Sequence, residues 1–521
     1  MRTKLLMLMG VIPILFAFNA NAQMDIQASS DSSRFTGGFV IGGVTVDGKN
    51  FQQLSLRADV PIGKFGFGVD IQLLFDEQGN VREDDWDEWQ DYLDKIYYIR
   101  YGKKKDPFYI KLGGLDYTYI GYSNIVNGYS NMLQYPTRKR YGGELSFYVP
   151  TEKYNGKPLF GGEFFFNDAK EMFVESPLNK GIVTGARVFY RPMRFLELGV
   201  SFAGDFNEYN AFKDKDGDGV PDDIDAFPDN KAYATGMDKI SVDDWNYLLN
   251  DPHWGATRSE AYQNLLSSGL VPSDTTKRMA DLFNLHDQTS KMYAYSFDIG
   301  IPLINQDKIK LDVYSHFTQL RGDSHTYGWG IALPGARLII GNDNVQNFLT
   351  LKAEYRRSSK EFLFGYFNNT YELERAQFVG DSVVTKQMQL LKIQEELNGI
   401  YASAEVDLFG YIVGYAAYQD LMGSAQKHVR SVSGEIRMGE TLKKMIGFAD
   451  VRGYYIQNNV QDFREWKTPS TVMGINVGYN YKGAVFGIDY RWTFQDFNGD
   501  GLIRTSKESI KTISFRTAVN F

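Results

Sequence analysis

Apolar and polar residues alternate with a period of two along nearly the whole chain beyond residue 35, in segments of about ten residues. Leu54-Ser55-Leu56-Arg57-Ala58-Asp59-Val60 is one such segment. Ile96 to Tyr101, Glu144 to Val149, Glu197 to Phe202, Lys310 to Tyr314, Thr350 to Tyr355, Tyr401 to Leu408, Asn476 to Tyr481 and Thr512 to Phe521 repeat it. Period two sends successive side chains to opposite faces of a strand, so each segment reads as a strand with one apolar face and one polar face. About 18 to 22 of these follow one another from Phe35 to the C-terminus, which predicts an all-β, antiparallel, up-and-down barrel.

The connections sharpen that expectation, because a membrane-spanning barrel has short turns at one end and longer loops at the other. Short links fall at Pro61 to Lys64, Gly102 to Pro107, Arg191 to Arg194, Pro302 to Asp307, Arg357 to Lys360, Phe409-Gly410, Gly439 to Lys444 and Tyr481 to Gly483. Longer ones lie between them, at Asp76 to Leu93, Asp116 to Arg138, Asn167 to Lys180, Asp205 to Ser290, Tyr371 to Glu396, Gln457 to Ser470 and Gln495 to Ser509. The count reaches 22 if Leu333 to Ala336 is a further turn; if that stretch is one bent strand, the alternation fails there and the count stays open.

Composition agrees: 51 Gly, 34 Tyr and 37 Phe stand beside only 15 Pro, with 23% charged residues. A transmembrane barrel needs apolar side chains on its lipid face alone and rings at both interfaces, so its average hydropathy stays low. Residues 1–22 read as a secretory signal peptide, with Arg2 and Lys4, an apolar run from Leu5 to Phe18, and Ala20-Asn21-Ala22 before the cut. That run is shorter than the ~20 residues a spanning helix needs, and the rest of the chain offers no second one. The mature chain, 23–521, would carry a formal net charge of −10 instead of −8, which argues against a nucleic-acid partner. Cysteine is absent, which removes thiol catalysis and thiolate metal ligation.

The last residues, Ile513-Ser514-Phe515-Arg516-Thr517-Ala518-Val519-Asn520-Phe521, resemble the terminal strand of Gram-negative outer-membrane β-barrels of the porin-like kind. That resemblance implies a cell outer-membrane location, outer-membrane lipid as surroundings, and recognition by the barrel-assembly machinery through the strand ending in Phe521. The first strand begins about a dozen residues after the expected cut, leaving no room for an N-terminal plug of the kind found in energy-coupled transporters. A barrel this wide needs something to narrow it. The longest loop is the expected filler.

That loop, 205–290, breaks the strand rhythm and carries Asp214-Lys215-Asp216-Gly217-Asp218-Gly219-Val220-Pro221-Asp222-Asp223-Ile224-Asp225-Ala226-Phe227-Pro228. Asp214, Asp216 and Asp218 can converge on a hard cation, Gly219 permits the sharp turn, the Val220 carbonyl can coordinate, and Asp222 and Asp225 can close the shell. Oxygen ligands at this density favour Ca²⁺, in a structural role. The run resembles a single thrombospondin type 3 repeat. Ser241 to Leu249, Thr257 to Ser268 and Ser273 to Phe283 have helical spacing and predict a small cap beyond it. A weaker cation candidate is Asp496, Asn498 and Asp500, where the twelfth loop position is Lys507 and the nearest carboxylate, Glu508, comes one residue late.

No frame for an enzyme is found around His253, His286, His316, His325 or His428, and no nucleophile elbow, HExxH or phosphate loop is present. Glu83 to Trp89, with two tryptophans among carboxylates, reads as a solvated loop or a glycan-binding lip. Arg57, Lys111, Arg187, Lys352 and Arg516 fall on the polar face, where they would line a lumen and either tune ions or pair with Asp59 and Glu354. The expected function is a channel for passive diffusion of small solutes; the alternative is a barrel-anchored surface protein whose calcium-stiffened cap binds a partner or glycan.

Overall fold

In a computed structural model, the described residues run from 36 to 520 apart from short stretches, the longest being 152–157, 173–180, 223–249 and 265–284. The signal-peptide residues therefore lie outside the described residues. Twenty strands form one sheet. They are β1 (Thr36–Val46), β2 (Lys49–Ile62), β3 (Phe65–Phe75), β4 (Ile96–Tyr101), β5 (Phe108–Gly113), β8 (Gly142–Pro150), β9 (Pro158–Phe166), β10 (Val183–Met193), β11 (Leu196–Asp205), β12 (Met292–Gln306), β13 (Ile309–Gly322), β14 (Thr326–Ile340), β15 (Leu349–Ser358), β19 (Leu397–Leu408), β20 (Ile412–Met422), β21 (His428–Met438), β22 (Phe448–Val460), β23 (Thr471–Tyr481), β24 (Ala484–Phe494) and β25 (Ser509–Asn520). Five shorter strands stand apart from that sheet: β6 (Thr118–Tyr119), β7 (Val126–Tyr129), β16 (Phe367–Asn368), β17 (Ala376–Val379) and β18 (Ser382–Thr385).

Each barrel strand pairs antiparallel with the next, and β25 returns to β1 with Thr36 opposite Asn520 and Gly42 opposite Ser514. The sheet is thus a closed barrel without free edges. Faces sort by parity: on β3, Phe65, Phe67 and Ile71 point outward and exposed, while Gly66, Gly68, Asp70 and Gln72 point inward and buried. Outward positions elsewhere repeat this with Phe39, Ile41, Val188, Tyr190, Ile299, Ile301, Ile400, Ile475 and Phe486. An exterior of this kind is stable only against lipid. Among the described residues no helix is long and apolar enough to cross a membrane.

Connection length alternates only in part, because the links 47–48, 323–325 and 423–427 are short yet lie at the same end as the long loops. Leu333 to Ala336 is not a turn: β14 runs straight through it, and its pairing to β15 skips between Ala332 and Gly335. Nor is Arg357 to Lys360 a short turn, because Arg357 and Ser358 still pair with β19 and the chain then enters a long loop. The turn that the sequence reading lacked lies at 341–348, between β14 and β15, and the strand count is 20. Both described chain ends and most of the short turns lie at one end of the barrel. The long connections, 76–95, 114–141, 167–182, 206–291 and 359–396, gather at the other.

Two of those long connections fold back inside. Segment 114–141 carries β6 and β7, segment 359–396 carries β16 to β18, and β16 lies parallel to β7 to join β6, β7 and β16 in a small inner sheet. Leu115, Ile120, Ile125 and Val126 from the first pack with Phe362, Phe364, Tyr366, Phe367, Tyr371 and Leu390 from the second. Inward residues of the wall, among them Phe165, Val183, Met292 and Leu320, complete this core. Fully burying side chains of this size contributes about 1.5–3 kcal/mol each, enough to hold a loop in a lumen that would otherwise be water. Gly121 makes one close approach possible, since its φ is +56° and a Cβ there would sit 2.8 Å from the Arg187 side chain. Gly300 makes another, because a Cβ would strike the hydroxyl of Tyr122, whose ring stacks on Tyr314 at 4.0 Å.

Candidate functional site

The inward loops cover one side of the lumen and leave the other open. Between them and the wall built by β14, β15 and β19 to β22 lies a cavity of about 450 Å³, within the range of small-molecule sites. Its wall can be read in cross-strand rows. One row runs Thr350, Glu405, Tyr415, Glu435 and Tyr454; the next, toward the long-loop end, runs Lys352, Ser403, Ala417, Ser433 and Ile456. Ser403, Ala417, Ser433 and Gly434 are small, which is why space remains there. From Arg437 to Ser431 the slot spans six residues of β21, about 20 Å at ~3.3 Å per residue, most of the ~25 Å apolar height of such a barrel.

Facing that wall, the inner sheet presents Tyr117, Tyr119, Asn127, Asn368 and Asn369. Tyr119 is 50% exposed although it sits inside the barrel, so its ring stands free in the slot. The slot cations are mostly matched: Arg337 to Asp312 at 2.8 Å, Lys352 to Glu354 at 2.9 Å, Arg356 to Glu354 at 2.5 Å and Arg452 to Glu435 at 2.8 Å. Arg437, opposite Arg452 in register, has no carboxylate within ion-pair distance among the described residues.

Behind the inner sheet a buried charge network fixes the loops in place. Arg375, with no exposed side-chain surface, donates to both oxygens of Asp205 at 2.6 and 2.9 Å and to the Asn207 carbonyl at 3.1 Å. Tyr371 donates to Asp205 at 2.7 Å, Arg140 meets Glu372 at 3.0 Å, and Lys386 meets Glu374 at 2.6 Å. Burial works against the charge of Glu372, but Arg140 and Arg375 outweigh it and hold the carboxyl below its ordinary range. Burial wins at Glu208, with Asp205 adding to it, and the group is pushed up to about 7; it accepts from Tyr366 at 2.5 Å and from Ser290 at 3.0 Å. Glu171 is likewise pushed up by burial, to about 8, against the pull of Arg375.

Of the expected lumen cations, those with described side chains are inward and paired with carboxylates: Arg57 meets Asp70 at 2.7 Å, and Asp59 accepts from Tyr98. Arg187 meets Asp298 at 2.7 Å, and Lys111 meets Asp116 at 3.5 Å. The Arg516 side chain lies outside the described residues. Of the histidines, His316 is buried in the wall near Glu354, His325 contacts Glu361 at 2.8 Å, and His428 contacts Asp420 at 2.6 Å. None of these stands beside a nucleophile. Most of Glu83 to Trp89 lies outside the described residues, and Trp86 packs over the Lys95 ammonium at 3.8 Å.

In the acidic loop, Asp214, Asp216 and Asp218 place one oxygen each within 4.8 Å of one another. Gly217 and Gly219, at φ +74° and +94°, turn their amides onto the two Asp214 oxygens, at 2.8 and 3.1 Å. Asp222 stands outside that trio and closes the base of the loop, accepting from the Lys215 amide at 2.8 Å. Val220 is buried, and Asp225 lies outside the described residues. The three carboxylates and the two left-handed glycines fit a hard divalent cation. The loop also touches the filler, since Phe212, two residues before Asp214, packs on Phe378 of β17 at 4.5 Å. Of the expected helices, the described part shows Ala261 donating to the Thr257 carbonyl at 2.9 Å and Thr257 Oγ1 accepting from the Glu260 amide at 3.2 Å. At the weaker site Asn498 and Asp500 lie outside the described residues; Asp496 is buried, and Glu508 accepts the Arg504 and Thr505 amides at 3.0 and 2.8 Å.

No family model matches the chain, and no curated protein does. Among solved structures it is similar to OccK5 (OpdH) of Pseudomonas aeruginosa, at a TM-score of 0.31 and 8% identity over 94% of this chain and 96% of that one. A BenF-like porin from Pseudomonas fluorescens Pf-5 gives 0.30 and 9% over 94% and 96%. Wzi of Escherichia coli, described as an outer-membrane protein of group 1 capsule assembly and a carbohydrate-binding β-barrel, gives 0.31 and 9% over 94% and 83%.

Proposed function

We propose that this protein is a channel of the Gram-negative outer membrane, through which small solutes diffuse passively along the slot between the inner sheet and the wall of β14 to β22. The observation that carries the reading is the slot itself: a cavity lined by polar and aromatic side chains along about 20 Å of strand, in a barrel whose exterior is apolar. A closed anchor has no need of small residues at Ser403, Ala417 and Ser433, since larger ones would pack the inner sheet more firmly. Segments 114–141 and 359–396 act as the constriction. Export would use the signal peptide 1–22, and insertion would use the assembly machinery that reads the strand ending in Phe521. Asp214, Asp216 and Asp218 would hold Ca²⁺, which stiffens the start of the 205–290 insertion outside the membrane and, through Phe212, supports β17.

The second reading, a barrel that anchors a binding cap, draws on the Arg375 network, which ties the inner loops to the wall through fully buried side chains. Conductance separates the two. Refolded protein in planar bilayers should give steady open steps, and Ser433→Trp, which places an indole where small side chains leave the slot open, should lower the current by more than half while leaving insertion intact. Folded, inserted protein without steps would favour the anchor.

A further inference from the structure

The chemistry of the slot narrows what can pass, and the argument rests on the channel reading above. Six tyrosines border it, Tyr117, Tyr119, Tyr401, Tyr415, Tyr418 and Tyr454, and both of its long sides are set with amide and hydroxyl groups. Its charges, by contrast, are largely spent. Arg337 holds Asp312, Lys352 and Arg356 share the carboxylate of Glu354, and Arg452 of the neighbouring strand holds Glu435. The remaining cation, Arg437, stands one row from Glu405 and Glu435, so an ion entering the slot meets no single-sign field. A path selective for anions or cations would leave a row of one charge unmatched and facing the solute.

Tyr119 gives the slot its second feature. A half-exposed ring inside a barrel has given up packing that it could have found against the inner sheet, and it offers a flat apolar face to whatever enters. Across from it, Tyr415 lies beside Tyr401 and Ser433. Rings on opposite sides of a channel, with asparagine, serine and glutamine at their edges, match a solute that has flat C–H faces and a rim of hydroxyls. We infer that the slot is selective for uncharged, hydroxyl-rich solutes of mono- to disaccharide size, which slide between Tyr119 and Tyr415.

The test uses the full-length refolded protein with maltose and sucrose as probes, and benzoate and arginine as smaller, charged controls. In planar bilayers, maltose or sucrose should produce concentration-dependent interruptions of the ion current, and benzoate and arginine should produce fewer. Tyr119→Ala should weaken the sugar-induced block by about threefold to tenfold, the worth of one aromatic contact, and Tyr119→Phe should retain most of it. Calorimetric titration of the same sugars into detergent-solubilised protein gives a readout that does not need an open pore. Block or heat that falls with Tyr119→Ala supports the inference. Steady conductance with block by benzoate or arginine alone overturns it and leaves the channel reading standing. Sugar heat without conductance overturns the channel reading and keeps the site. Neither heat nor block by either sugar overturns the inference.

Discussion

Replacing Arg375 by alanine should release the inner loops. The wild-type guanidinium is fully buried, holds Asp205 through two hydrogen bonds and lies 3.5 Å from Glu372. Its removal leaves Asp205, itself fully buried, without its cation in a site that excludes water. Breaking one side of a buried pair costs about 3–5 kcal/mol, because the surviving charge keeps its desolvation penalty and loses its compensation. At about 1.4 kcal/mol per tenfold, the equilibrium between packed and released loop moves by roughly two to nearly four powers of ten. The barrel wall should hold, since its strands pair with their neighbours irrespective of the loop. The readouts are single-channel recording and limited proteolysis within 359–396. Arg375→Ala should show larger, noisier steps and faster cleavage, and Arg375→Met combined with Asp205→Asn should restore much of the quiet state by removing both charges together. An inserted Arg375→Ala protein with wild-type step size, noise and cleavage would refute the idea that this pair holds the constriction.

The loops should also loosen with rising pH. Glu208 and Glu171 are pushed above the ordinary carboxylate range, so the folded state holds protons that an unfolded loop has lost; their contribution is complete below about pH 4.5 and disappears as pH rises through about 7 and 8. Current noise and loop cleavage should therefore increase between about pH 4.5 and 8 and level off above it, and Glu208→Gln should reduce that rise. Chelation of calcium should accelerate proteolysis of the 205–290 insertion and lower the thermal midpoint of its cleavage, and Asp216→Asn with Asp218→Asn should abolish the difference between calcium and chelator. Tyr122→Ala should widen the lumen near Gly300 and raise the conductance, because it removes the ring stacked on Tyr314.

Strands were legible from period two, since a barrel wall has to be apolar on one face and polar on the other at every step. What the sequence concealed was the fate of the loops. Phe362-Leu363-Phe364-Gly365-Tyr366-Phe367 invites assignment as a strand after a turn at Arg357 to Lys360, yet it is the core of the inner filler. One signal was available: the run is continuously apolar, whereas a strand with a wet lumen on one side alternates. The slot was beyond reach for a different reason, because Tyr119, Tyr415 and Ser433 are brought together only by barrel closure and by the inward fold of 114–141. Leu333 to Ala336 stayed open between a turn and a bent strand because a proline and a glycine together look like a turn, while here they mark a place where strand pairing is interrupted and resumed. The grouping of Asp214, Asp216 and Asp218 was legible because the three stand close together in the chain, whereas Asp222 was expected in the same shell and stands apart from them.

The seam between β1 and β25 has a consequence for how the molecule comes into being. Residues from opposite ends of the chain must meet before any strand at the seam has its partner, so a nascent chain carries two unsatisfied edges until its last dozen residues exist. Local hairpins can form early and cheaply, but ring closure comes last and draws on the most distant pairing in the molecule. A chain cut short by a single strand is therefore an open sheet with an adhesive border, better suited to stacking on its own kind than to standing in a bilayer.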